Sequence, residues 1–128
     1  MAQVSTDDPF FRILCVEDKP SLQRTLKMGL AAYGFEVVTA FDGIDALTRY
    51  KAHGGNFGAI VTDNDMPRMN GPELVRSLRK MGFKGRIVVM SGHFKPEDLR
   101  TYQAHAISDF FHKPSEIDLL ATMLLQAD

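Results

Sequence analysis

The chain has 128 residues, enough for one domain with a real core, and 45% of them are hydrophobic, as in an ordinary globular protein. Fifteen Lys and Arg stand against sixteen Asp and Glu, so no strong field invites a nucleic acid or a membrane surface. A single cysteine excludes an internal disulfide, and no apolar run approaches the ~20 residues of a membrane span.

The opening "MAQVSTDDP" lacks the basic and apolar regions of a signal peptide. Residues 1–10 therefore read as a flexible tail on a cytoplasmic protein, with one domain over 11–128. "RILCV" (Arg12 to Val16) is a first apolar strand, and Cys15 within it reads as a buried small hydrophobe. "PSLQRTLKMGLAAYG" reads as a helix between Pro20 and Gly34, with Leu22, Leu26, Gly29, Leu30 and Tyr33 on one face. "FEVVTA" (Phe35 to Ala40) is the second strand, and "DALTRYKAH" (Asp45 to His53) a helix closed by Gly54 and Gly55.

"FGAIVT" (Phe57 to Thr62) is the third strand. "GPELVRSLRKMG" is a helix with Leu74, Val75, Leu78 and Met81 inward and Arg76, Arg79 and Lys80 outward. "RIVVMS" (Arg86 to Ser91) is the fourth strand, and "KPEDLRTYQAHA" a shorter helix with Pro96 in its first turn. "SDFFH" (Ser108 to His112) is the fifth strand. "SEIDLLATMLLQAD" is the last helix, with Ser115 and Asp118 as a variant N-terminal cap. Five strands alternating with five helices predict an α/β fold: a mainly parallel sheet covered on both faces, joined by right-handed crossovers.

In an open parallel sheet, chemistry gathers beyond the carboxyl ends of the strands. Glu17 and Asp18 follow the first strand, Asp63 and Asp65 the third, Ser91 ends the fourth, and Lys113 follows the fifth. Carboxylates brought this close repel, so either they take up protons or a cation sits among them. Hard oxygen ligands suit Mg²⁺ or Mn²⁺. Asp63 then reads as a nucleophile for a phosphoryl group, and Lys113 as a neutralising cation.

On these residues the chain resembles the receiver domains of bacterial two-component response regulators. "VEDKP" matches the family's acidic pair, "VTDNDMPRMNG" its phosphoacceptor segment with Asp63 on the acceptor, "VVMSG" its fourth strand, and "DFFHKP" its fifth. The match runs from about Phe11 to the end of the chain. The resemblance implies a flavodoxin-like doubly wound sheet of order 2-1-3-4-5. It implies Mg²⁺ (or Mn²⁺) bound by Asp18, Asp63 and the backbone carbonyl of Asp65, with Glu17 acting through water. A sensor histidine kinase, a phosphotransfer protein or a small phosphodonor would phosphorylate Asp63. Ser91, the switch aromatic Phe110 and Lys113 would then rearrange, with a cis peptide before Pro114, so that an output partner reads the face of the fourth helix, fifth strand and fifth helix. The chain is expected to be a stand-alone receiver that catalyses only its own phosphotransfer and slow dephosphorylation.

Departures from the pattern are Ser115 after Lys113-Pro114, Ala106 where a glycine is common, and Phe110, which lacks a phenolic hydroxyl. Asp65 and His93 hold positions that in this family tune the phosphoryl lifetime. Plainer readings stand beside these roles. Singly, Glu17, Asp18 and Asp65 are acids near helix N-termini, Ser91 a turn residue, Lys113 a solvated lysine and Phe110 a core aromatic. The four histidines (53, 93, 105 and 112) show no metal-ligand spacing. Gly43, Gly71 and Gly92 read as turn glycines. Ile117, Leu120, Ala121 and Leu124 form the core stripe of the last helix, which leaves Leu119 and Met123 as an apolar pair for a docking or homodimer face. The rival functions are an aspartyl phosphatase like the haloacid dehalogenases, a flavodoxin-like FMN carrier, and a receiver-shaped module that is never phosphorylated.

Overall fold

A computed structural model describes residues 11–107, 109–112 and 117–125. Ten elements alternate along the chain: β1 (Arg12–Val16), α1 (Pro20–Ala31), β2 (Glu36–Ala40), α2 (Gly43–Ala52), β3 (Ala59–Asp63), α3 (Gly71–Lys80), β4 (Arg86–Ser91), α4 (Pro96–Ala104), β5 (Asp109–His112) and α5 (Ile117–Leu125). The strands pair in parallel in the order β2-β1-β3-β4-β5, as expected. The tail, Lys113, Pro114 and Ser115 lie outside the described residues.

The two-residue period of the strands splits the core into two layers. Leu14, Val16, Ile60 and Val89 point to one side, where Leu74, Val75 and Leu78 of α3 and Tyr102 of α4 meet them. Ile13, Cys15, Val61, Val88 and Met90 point to the other, against Leu26 and Leu30 of α1 and Leu120 and Ala121 of α5. Both faces of the central strands are thus covered, which is why their sequence is continuously apolar. Each fully buried Leu, Ile or Val on these faces contributes roughly 1.5–3 kcal/mol of burial.

The starts of α2 and α3 are set by side chains that reach back to free N–H groups. Asp42 accepts from the Asp45 N–H at 2.8 Å, so α2 begins at Gly43, two residues earlier than expected. Asn70 and Glu73 form a reciprocal capping box at the start of α3, with bonds of 3.0 and 3.1 Å. Gly43 and Gly71 therefore open helices instead of making turns, while Gly92 does lie in a bend.

Three other side-chain expectations change. Met81 lies past the end of α3 and is exposed. Arg79 turns inward: its guanidinium donates to the carbonyls of His105, Phe83 and Gly85 at 3.1, 2.9 and 2.9 Å, binding the ends of α3 and α4 together. The cap expected of Ser115 and Asp118 is not tested, because Ser115 lies outside the described residues; Asp118 accepts from the Tyr33 hydroxyl, just past the end of α1. Met123 is half-buried against the second core layer, and Leu119 is 58% exposed, so the outer face of α5 offers one large apolar side chain of the expected pair. Among the described residues, no helix is long and apolar enough to cross a membrane.

Candidate functional site

The strand register brings the candidate residues to one rim. Val16 pairs with Thr62, Asp63 with Met90, and Ser91 with His112. Glu17 and Asp18 therefore emerge beside Asp63, with Ser91 one strand further across. β1 stays paired one residue beyond its end, because the Glu17 N–H donates to the Ala40 carbonyl at 3.0 Å. Gln23 holds the same corner, donating to the carbonyls of Glu17 and Ala40 at 3.1 Å each.

One carboxylate oxygen from each of Glu17, Asp18 and Asp63 lies within 4.8 Å of the others. Glu17 and Asp63 are buried, and Asp18 is half-buried. Glu17 accepts from the Lys19 N–H at 2.9 Å, and Asp63 accepts from the Asp65 N–H at 3.4 Å. Asp18 Oδ1 is buried with no hydrogen-bond partner among the described residues. A buried carboxylate oxygen without a donor is costly, and at such separations each like-charged pair adds on the order of 3 kcal/mol of repulsion. Three hard oxygens gathered within 4.8 Å of one another, from a set of carboxylates that includes one unpartnered buried oxygen, fit a small divalent cation such as Mg²⁺ or Mn²⁺.

The remaining candidates frame this cluster. Asp65 is exposed, and its side chain accepts from Asn64 Nδ2 at 3.3 Å. The buried Ser91 hydroxyl donates to the His93 carbonyl at 2.7 Å and accepts from the His93 N–H at 3.1 Å. It thus closes the turn into the β4–α4 loop, as its plainer reading expects, while standing on the rim. Phe110 is half-buried, edge-on to Phe94 with ring centroids 5.3 Å apart and tilted against Tyr102 at 5.9 Å. Lys113 is outside the described residues, so its ammonium is not placed.

Several neighbours of the site were not anticipated. Arg68, in the loop after Asp63, pairs with Asp42 at 2.6 Å and so ties the acid loop to the start of α2. The Arg68 guanidinium, ahead of all other causes, holds the Asp42 carboxyl below the usual aspartate range. The Tyr102 hydroxyl donates to the Asn64 side chain beside Asp63. Burial first, and then the nearby Asp98, Asp65 and Asp63 charges, push the Tyr102 phenol upward, so it stays a proton donor.

Comparison with known proteins places this arrangement. The family model described as the response regulator receiver domain matches residues 13–125, and the chain belongs to that family. The domain is of the phosphorylation-dependent signalling type. A solved structure of the chemotaxis protein CheY4 of Vibrio cholerae is 30% identical, with a TM-score of 0.80 over 88% of this chain and 94% of that one. The sensor kinase CckA of Brucella abortus is 33% identical over 86% of this chain, and the transcriptional regulatory protein PrrA of Mycobacterium tuberculosis 34% over 80%. The chain spans 12% of the length of CckA and 43% of PrrA.

Two rival readings lose ground on this geometry. The Asp63–Asp65 pair follows β3, whereas the haloacid-dehalogenase pair follows the first strand of its fold. The rim that a flavin phosphate would need carries converging carboxylates instead.

Proposed function

We propose that Asp63 is the phosphoacceptor of a switch that takes its phosphoryl group from the phosphohistidine of a sensor histidine kinase or phosphotransfer protein, or from a small phosphodonor. The observation that carries this reading is the convergence of Glu17 and Asp18 on Asp63, with the buried oxygen of Asp18 left without a donor. Glu17, Asp18 and Asp63, with the backbone carbonyl of Asp65, are the residues that would hold Mg²⁺. When bound, the ion neutralises the clustered carboxylates and offsets charge on the transferring phosphoryl group.

The chain's own residues supply position. A carboxylate oxygen of Asp63 attacks phosphorus in line, a P–O bond forms, and the P–N bond of the donor imidazole breaks, its electron pair staying on nitrogen. Ser91 then exchanges its bond to the His93 carbonyl for one to a phosphoryl oxygen, and the Lys113 ammonium pairs with another. The aromatic at 110 turns into the space this leaves, and the face of α4, β5 and α5 changes for an output partner. With Met123 drawn toward the core, Leu119 is the member of the pair left to support contact with a second copy. The domain turns over no other substrate on this reading, and acts in the cytoplasm where the kinase presents its phosphohistidine.

Incubation with Mg²⁺ and acetyl phosphate tests the proposal. Intact mass spectrometry should show one labile phosphoryl adduct on the wild type and none on Asp63→Asn. An unmodified wild type that still binds Mg²⁺ would favour the module that is never phosphorylated.

A further inference from the structure

The residue after Asp63 is tightly held. Asn64 is 1% exposed, and each of its polar groups is engaged. Its N–H donates to the Met90 carbonyl at 2.8 Å, and its own carbonyl accepts from the Gly71 N–H at 2.9 Å. The side-chain amide donates to Asp98 at 3.1 Å and to Asp65 at 3.3 Å, and its oxygen accepts from the Tyr102 hydroxyl. Asp98 and Tyr102 stand four residues apart, on one face of α4. A single helix therefore grips both ends of one amide, directly beside the candidate acceptor.

Tyr102 does more than fill space. It is fully buried, its hydroxyl is walled in by Gly71, and its ring leans on Phe110. Position 110 lacks a phenol of its own, so the phenol in this part of the molecule comes from α4. Charge supplies a driving force as well. A phosphoryl group on Asp63 would add negative charge beside Asp65 and Asp98, whose carboxylates share the Asn64 amide.

We propose that Tyr102 and Asp98 are positioning residues that tie α4 to the acceptor through Asn64, so that phosphorylation moves α4 by this link as well as through Phe110. The inference rests on the reading of Asp63 as phosphoacceptor. A displacement of the Asp63–Asp65 segment either carries α4 with it or strains the Tyr102–Asn64 and Asp98–Asn64 bonds, because every polar group of the Asn64 side chain is engaged.

Tyr102→Phe removes the hydroxyl and keeps the ring, and it can be compared with wild type by amide hydrogen exchange of residues 96–104 before and after acetyl phosphate with Mg²⁺. Phosphorylation should change exchange across α4 in the wild type, and most of that change should be lost in Tyr102→Phe even though the adduct still forms. A contact that merely supports the fold would raise α4 exchange equally in both states and leave the difference intact. That result, or a wild-type adduct with no change in α4, overturns this inference alone. No adduct on the wild type overturns the phosphoacceptor reading and this inference with it. If Tyr102→Phe fails to fold, Asp98→Asn serves in its place: it removes one of the repelling charges, so a diminished α4 response supports the link and an undiminished one refutes it.

Discussion

Gly71 lies so close to Tyr102 that a Cβ built on it would fall 2.3 Å from the tyrosine hydroxyl, and 2.9 Å from the backbone oxygen of Asp63. Neither neighbour can yield cheaply. The hydroxyl ends a fully buried ring, and the oxygen belongs to the strand end that carries the candidate acceptor. Gly71→Ala should therefore destabilise the domain by about 1–3 kcal/mol, the usual cost of overpacking. Urea unfolding checks this, and a wild-type midpoint would show that the approach of α4 to this loop is looser than described.

Ala106 joins α4 to β5 with φ at +61°, in the left-handed region. A side chain there costs roughly 1–2 kcal/mol, partly offset because glycine is more disordered in the unfolded chain. Ala106→Gly should raise stability by about 0.5–1 kcal/mol, read as a higher thermal midpoint. The alanine makes this turn in a conformation that a glycine adopts without that strain.

The Asp42–Arg68 pair makes stability depend on acid. Asp42 titrates below its ordinary value of 3.8 in the fold, so the folded state binds this proton less readily than the unfolded chain. Its contribution is fully present above the ordinary aspartate range and is lost as pH falls through the lower folded value. Asp42→Asn keeps a cap for α2 and removes the charge. Its stability should fall less steeply than that of the wild type on acidification below about pH 4. Parallel acid-unfolding curves for the two proteins would show that Arg68 adds nothing to the fold.

Much of this molecule was legible in its sequence because parallel strands and strand-end acids leave local signatures. The apolar runs around Leu14, Ile60 and Val88 could only be strands buried on both faces, and their ends delivered Glu17, Asp18, Asp63 and Ser91 to one rim. The caps at Asp42 and Asn70 were just as local, each a short polar side chain with an acid three residues later, but they were passed over, with α2 expected to start at Asp45 and Gly43 and Gly71 expected as turns. The Asn64–Tyr102 bond was not legible. It joins residues 38 apart and depends on how α4 is rotated over the sheet, which no periodicity of a nine-residue helix specifies. Arg79 misled for a related reason. Its position on α3 is peripheral, but a long side chain can reach inward to carbonyls that lie past the helix end. Met123 likewise bends toward the core from a position that a helical wheel assigns to solvent.

On the proposed function, a divalent cation joins Glu17, Asp18 and Asp63 and readies Asp63 for phosphoryl transfer. The rate of adduct formation from acetyl phosphate, followed over a Mg²⁺ titration in the wild type and in Asp18→Asn, measures this most directly. The rate should rise saturably with Mg²⁺, no adduct should form in excess chelator, and Asp18→Asn should need at least about ten-fold more Mg²⁺, since even outer-shell changes at metal sites bring losses of that size. An adduct that forms as fast in chelator, or an Asp18→Asn protein with the wild-type Mg²⁺ dependence, would contradict it.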